Sequence, residues 1–546
     1  MVGPGVERLL ANLERSDVGR VRGSFDRDYW AWKFRDYPPM MLQTASHALA
    51  LAWRSEMADN PWHRNERLAA WVAGALEWTL DRQHRNGAFD QVVPNDQDVG
   101  ATLGIAHSLG EVYRILEEPL DTELRTRILE SVHRACRFSR GRQESHGFVS
   151  NHVAMFGLAF QVAGEILDDA TWTECGAEQI GYVLARQSAE GWYEEYGGAD
   201  PGYETLGIRY LADYWARTGN AEVLGSLERS LDFLSRLIHP DGSLGGPHGS
   251  RHVSLYYPSG FEQLSGHLAV ASRIARFMAD RLDRRNVVVP SVCDPENLPS
   301  LCASYLEACR VEGTPNDEPA DMPCHRLEGL RVFEDAGIGV VGTERLYAVV
   351  GCAKGGVCRV HDRLTERLLY EDAGYVIERG ADLWSSQLSG MGSLSEGGSD
   401  EAGSITIACS TRFARVRQDL PTPFAFLVLR ILNLTLWRSL LMGSLFRRAI
   451  ARRLITGRRE APVTLNRVLT FEPDGFCLLD RLEPDTRLRV SKLRLARRFK
   501  AMHMGSAHYY HPSELTATPG LPAAEAERML ASLREGRPAV WELEVR

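Results

Sequence analysis

Cysteine is sparse and unpaired in this 546-residue chain. Its ten cysteines are scattered, with no CxxC pair and no tight ladder, which excludes a disulfide scaffold and fits free or buried thiols in a reducing compartment. Lysine is scarce beside abundant arginine, a balance that favours directed anion contacts over diffuse positive charge. The net charge of −9 argues against a general nucleic-acid binder. No GxxxxGK[ST], GxSxG or HExxH occurs, so the familiar phosphate-loop, serine-hydrolase and zinc-protease signatures are missing. The opening stretch "MVGPGVERLLANLERSDVGR" lacks the basic start, apolar core and small-residue cleavage site of a secretory leader. A cytoplasmic setting is therefore expected.

What is present is an ordinary folded composition, 44% hydrophobic and 25% charged, on a chain long enough for two or three domains. From about residue 40 to 310 the apolar residues recur at three- and four-residue spacing, as in "ERLAAWVAGALEWTL" and "NHVAMFGLAFQVAGEIL". This predicts amphipathic helices, with strand-like alternation nearly absent. Gly87, Gly147, Gly191 and Gly242 punctuate the run at roughly the length of a helical hairpin. A helical ring with its loops gathered at one end and an open solenoid both satisfy that period. A Pro/Asp/Glu-rich linker follows near 310–325, and then short β-branched runs such as "GIGVVGTERLYAVVGCA" and "APVTLNRVLTFEPDGFCLLDRLE". These predict an antiparallel β-sandwich. The expected division is a helical domain over 1–315 and a β domain over 326–546.

One segment fits neither pattern. Residues 422–459 are Leu-rich and end in Arg447, Arg448, Arg452, Arg453, Arg458 and Arg459. Spanning a bilayer would place Arg430 and Arg438 near its centre, at about 2.5–3.5 kcal/mol each. An interfacial helix at anionic lipid, or a helical pair packed on the β domain, are the readings left.

Three constellations carry candidate chemistry. Asn151 and His152 open the helix "SNHVAMFGLAF", where Ser150 or Asn151 also reads as an N-cap. In "EEYGGADPGYETLGIRYLADYW", Asp200 reads as N-cap and Pro201 as the first helical residue, which puts Tyr203 in the first turn. The helix dipole there favours negative charge, a use for a phenol that moves protons; an aromatic staple is the alternative. In "GGPHGSRHVSLYYPSGFEQL", His248, Arg251, His252, Tyr256 and Tyr257 are residue types suited to an acidic sugar. Trp192, beside Gly191, and Glu204 join them as candidate substrate contacts. Asp96 and Asp98 read as loop caps or as a glycosidase acid. His503, His508 and His511 lack a ligand pattern, so no metal site and no cofactor is expected.

These pieces together resemble the heparinase II/III-like and alginate-lyase group of polysaccharide lyases. "SNHVAMFGLAF" is similar to the family's Asn-His helix start, "EEYGGADPGYETLGIRYL" to its acidic Ser-Pro-x-Tyr-His helix, and "RLLYEDAGYV" to a β-domain segment after its His-x-His-x-Asp motif. The resemblance implies an α/α toroid followed by a β-sandwich, and β-elimination on a uronate-containing polymer. By position, Asn151 would bind and help neutralise the uronate carboxylate, His152 would sit in the proton-transfer shell, and Tyr203 would be acid, base or both. His248 and Arg251 would supplement them. The chain departs from the family at Glu204, where histidine is usual, and at "VVGCAKGGVCRVHD", where Lys354 stands near the expected acid and His361 lies too late. The implied partner is an acidic polysaccharide, in bacterial exopolysaccharide or cell-surface polysaccharide metabolism, with peripheral membrane contact through 424–459. The alternatives are a non-catalytic polysaccharide-binding or assembly protein at the inner membrane, and a glycoside hydrolase using Asp96 and Glu195.

Overall fold

A computed structural model describes residues 2–144, 147–310, 321–380, 382–388, 393–395, 403–416, 422–438, 442–443, 459–499, 501, 509–515 and 517–546. The helical half resolves the choice between ring and solenoid. Helices Ala45–Arg54, Val99–Ile115, Ser150–Leu167, Pro201–Thr218, Ser259–Leu264 and Leu298–Ala308 each pack on the next, and the last packs back on the first. Their partners, among them Glu66–Leu80, Thr122–Ser139, Ala170–Leu184 and Ala221–Ser235, form the outer layer of an α/α toroid. The inner helices are buried nearly all round. Val99–Ile115 and Ser150–Leu167 bury almost every residue, while Thr122–Ser139 buries one stripe only, the expected contrast between inner and outer layers.

The inner helices run in one direction. Leu42, Tyr203 and Asn297, near the starts of three of them, line one cavity. Arg54, Asp213, Arg217, Glu307 and Arg310, near their ends, line another. The ring therefore has a mouth where N-termini and loops gather, and a far end where C-termini gather.

Two antiparallel sheets follow. The first is a five-stranded meander from Gly329–Phe333 to Arg367–Glu371. The second runs in the order Lys492–Leu495, Tyr375–Arg379, Asp382–Ser385, Ile405–Val416, Glu460–Phe471, Phe476–Pro484 and Ala539–Val545. The inner faces of the two sheets share a core that includes Val360, Tyr370, Ile407, Leu465 and Leu478, as in a sandwich. The outer face of the first sheet docks on the toroid. Phe333, Tyr347 and Val349 belong to the helical core, the Phe233 and Phe333 rings lie 4.8 Å apart, and Tyr347 Oη donates to the Arg236 carbonyl at 2.5 Å.

The unusual segment is a connection between neighbouring strands. Ile405–Val416 and Glu460–Phe471 pair along their length, from Phe471↔Ile405 to Glu460↔Ala414. Its helix Pro423–Leu434 leans on the mouth of the toroid rather than on the sandwich: Arg430 pairs with Asp36 at 2.8 Å, and Asn95 Nδ2 donates to the Asn433 carbonyl at 3.3 Å. Among the described residues no helix is long and apolar enough to cross a membrane.

Candidate functional site

Helix Pro201–Thr218 begins as the sequence predicts. Asp200 is its N-cap, with Oδ1 accepting from the Tyr203 amide at 3.2 Å, and Pro201 occupies the first turn. Gly202 sits where a Cβ would lie 2.7 Å from the Val253 carbonyl oxygen. That close approach presses the helix start against the 250s loop and brings Arg251 over Tyr203, with guanidinium carbon and ring centroid 3.7 Å apart. Tyr203 lines a cavity of about 670 Å³ at the mouth, together with Asp26, Asp28, Arg35, Asp294 and Glu296.

Arg251 is the hub of the buried layer beneath this cleft. Its NH2 donates to Glu195 Oε2 at 2.6 Å and its Nε to Asp200 Oδ2 at 2.8 Å. Asn151 Nδ2 lies within hydrogen-bond distance of both Glu195 oxygens, at 2.9 and 2.8 Å, and the Asn151 amide donates to Oε1 at 2.8 Å. Burial pushes the Glu195 carboxyl up, opposed by Arg251 and the Asn151 donors. Ser250 Oγ donates to the Glu195 carbonyl at 2.8 Å, and Lys354 Nζ from the first sheet donates to the Ser250 carbonyl at 3.2 Å. Thus Asn151, Glu195, Asp200, Tyr203 and Arg251 converge, with Lys354 bracing their loop.

His152, next to Asn151, is half-buried, its side chain 36% exposed, with Nδ1 2.8 Å from Glu144 Oε2. Burial pulls its pKa down, but the charge and hydrogen bond of Glu144 outweigh that and raise it. A group missed by sequence reasoning is Tyr196. Its ring centroid lies 5.0 Å from the Arg251 guanidinium carbon, it holds a left-handed backbone conformation at φ 55°, and burial raises its phenol to about 12. A non-glycine residue in that conformation signals a constrained loop. The motif "EEYGG" showed the loop but not which residue carried the constraint.

Several expectations require correction. Neither Ser150 nor Asn151 caps the helix Ser150–Leu167: Ser150 Oγ donates to the Glu194 carbonyl at 2.7 Å, and Asn151 is spent on Glu195. Asn151 and Arg251 are buried and face the network, not the cleft. Glu204 points into the outer layer, where it accepts from Ser230 Oγ at 2.7 Å and burial raises its carboxyl well above the usual range. The reason is helical geometry, since adjacent residues lie about 100° apart around the axis and cannot share a face. Tyr256 and Tyr257 are core residues; Tyr256 packs on Phe261 and the Tyr257 amide donates to Thr205 Oγ1. Trp192 belongs to the seam between toroid and sheet, donating to Glu190, whose carboxylate also accepts the amides of Asp335 and Ala336.

His248 is likewise buried, edge-on to His239, with neither ring nitrogen hydrogen-bonded; burial and Arg359 hold it down at about 3. His361 stacks on His239 at 4.7 Å and lies 3.4 Å from Asp241, also inside the seam. Asp98 caps Val99–Ile115, and Asp96 accepts the amides of Gln91 and Val92 with burial raising it to about 7. Asp96 is therefore a loop brace, and Glu195 is committed to Arg251. His511 is buried and pushed down to about 4, chiefly by burial. His503 and His508 lie outside the described residues.

Among the described residues, the group with metal-ligand spacing is His107, Glu111 and Asp213, at the far end of the ring. Arg217 already bonds both carboxylates, at 2.6 Å to Glu111 and 3.0 Å to Asp213. A cation would have to compete with that guanidinium.

In sequence, no family model and no curated protein matches the chain. In structure, the chain is similar to xanthan lyase of Paenibacillus, with a TM-score of 0.50 and 11% identity over 90% of this chain and 46% of that one. It is similar also to the chondroitin AC lyase of Streptomyces coelicolor, solved with chondroitin sulphate, with a TM-score of 0.54 and 10% identity over 90% of this chain and 67% of that one. The chain thus spans about half the length of the first and two-thirds of the second. These likenesses show the fold: an α/α toroid joined to antiparallel β-sheets, shared with polysaccharide lyases.

Proposed function

We propose that the chain is a polysaccharide lyase that cleaves a uronate-containing polymer by β-elimination, with Tyr203 as its proton-moving group. The observation that carries this reading is Tyr203 itself. It is a phenol in the first turn of an inner helix, set by Asp200 and Arg251, on the wall of the cleft at the ring's mouth.

The proton beside a uronate carboxylate is weakly acidic until the carboxylate charge is offset. His152, half-buried and with its pKa raised by Glu144, is the group suited to supply that positive charge. Tyr203, as phenolate, then takes the proton at C5. The C4–O bond breaks as Tyr203 hands that proton to the departing glycosidic oxygen, and a C4–C5 double bond remains. Stabilisation of the enolate-like charge is the dominant requirement of such a step, and the proton transfer itself is worth about 10²–10⁴ in rate. Asn151, Glu195, Asp200 and Arg251 are positioning residues.

The cleft also favours one kind of polymer. Its lining includes four carboxylates, Asp26, Asp28, Asp294 and Glu296, against the guanidinium groups of Arg27 and Arg35. This disfavours a densely charged, sulfated chain and suits one in which uronates alternate with neutral sugars. Incubation with uronate polymers is expected to release the ultraviolet-absorbing unsaturated uronate, and Tyr203→Phe to lower that rate by at least about 100-fold. An unchanged rate in Tyr203→Phe would remove Tyr203 from the mechanism.

A second reading has its own support. Asn151 and Arg251, the groups that would grip a carboxylate, are already bonded to Glu195 and Asp200. A non-catalytic polysaccharide-binding protein would show polymer binding that survives Tyr203→Phe, with no unsaturated product from any uronate polymer.

A further inference from the structure

The helix Pro423–Leu434 and the turn after it expose an apolar surface that the fold does not cover. Phe424, Phe426, Leu427, Val428, Ile431, Leu434 and Leu436 are each between 39% and 75% exposed. Scattered exposed apolar residues are normal, but a contiguous run of large ones marks a contact surface. The orientation is fixed from the other side. Asn433 and Trp437 are buried, Arg430 pairs with Asp36 at 2.8 Å, and its guanidinium carbon lies 5.2 Å from the Tyr37 ring centroid. The helix is thereby held on the mouth of the toroid with its apolar residues turned outward.

Charge identifies what covers it. From 421 to 459 the sequence has eight arginines and no aspartate or glutamate, although the whole chain carries a net charge of −9. A second copy of the same segment would bring eight more arginines and no acidic residue to balance them, which like-charge repulsion opposes. A nucleic acid would satisfy the arginines but leave the phenylalanines and leucines in water. An anionic bilayer satisfies both, taking the apolar side chains at the acyl boundary and the guanidiniums at the phosphates. The two strands that flank the segment anchor it at neighbouring points of one sheet. We infer that this surface seats the protein on an anionic lipid membrane, lying on it and not crossing it, with the cleft mouth beside the lipid.

The test is flotation of the full chain with vesicles of phosphatidylcholine alone and of phosphatidylcholine mixed with phosphatidylglycerol. Binding is expected to the anionic vesicles, falling as salt is raised, and absent with phosphatidylcholine alone. The triple variant Phe424→Ser, Phe426→Ser, Ile431→Ser should weaken it by about tenfold or more, and Arg452→Gln with Arg453→Gln should weaken it and flatten its salt dependence. Because the three serines replace exposed residues, an unchanged thermal midpoint shows that the loss is not unfolding. Absence of binding to anionic vesicles, or binding equal in the triple variant, overturns the inference. So does a wild-type dimer that the triple variant dissociates, which would make a second copy the occupant.

Discussion

Arg251 shows how much one residue decides here. It has two carboxylate partners and two phenol rings around one guanidinium, in a place where water does not reach. Removing it leaves the buried Glu195 and Asp200 carboxyl groups without their cation, so Arg251→Met is expected to cost about 3–5 kcal/mol in a urea melt. Arg251→Lys should recover part of that stability but not the proposed lyase activity, because an ammonium cannot hold both carboxylates with a planar fork over Tyr203. His152 gives a pH-dependent counterpart. Its folded pKa is raised by Glu144, so its stabilising contribution is present below the unfolded value and is lost as pH rises through the folded one. Glu144→Gln should lower the pKa of His152 in an NMR titration while leaving the fold intact; an unmoved pKa would sever the pair. At this scale the sequence was legible where local rules act. The Asp-Pro start placed Tyr203 because caps and first-turn prolines are local. It was not legible for Glu204, Tyr256 and Tyr257, whose burial depends on which neighbouring hairpin packs over them.

Among the elements, hydrophobic spacing gave the helices and β-branched alternation the strands, because each periodicity is set within a few residues. Closure of the ring was not readable, since it rests on Leu298–Ala308 meeting Ala45–Arg54 from the opposite end of the domain. The insertion was visible as a breach of pattern, but its attachment to the toroid through Asp36 and Asn95 was not. That attachment is modest: an exposed ion pair contributes about 0–1 kcal/mol, burial of one large side chain, Trp437, adds about 1.5–3 kcal/mol, and the segment's ends are already adjacent on paired strands. Replacing 417–459 by a short turn is therefore expected to change the unfolding free energy by no more than about 2–4 kcal/mol, measured by urea denaturation. A loss several times larger would mean that the insertion is part of the folded core.

For the molecule as a whole, the seam between toroid and sandwich and the far end of the ring share one property. Both hold histidines whose charged form is disfavoured by burial. His239 and His47 are held well below the usual range, His248 is at about 3 and His107 at about 4, in each case chiefly by burial. Their folded pKa values are lowered, so below pH 6.5 the unfolded chain binds protons that the folded chain refuses, and stability falls as pH falls. For each such histidine the loss approaches about 1.4 kcal/mol per pH unit until its folded value is reached. These histidines lower the thermal midpoint between pH 6.5 and 5, against the opposite contribution of Asp96, Glu195 and Glu204, whose raised carboxyls take up protons in the folded chain, so the test is the change made by removing one imidazole. Replacing His248 by Asn, which carries no titratable proton in this range, should flatten that slope even if it lowers the midpoint at pH 7. The slope and not the midpoint is the diagnostic, since any disturbance of the seam moves the midpoint but only loss of a buried neutral imidazole changes the number of protons taken up. A scanning-calorimetry series whose slope is the same in both proteins would show that His248 is protonated alike in the folded and unfolded chains.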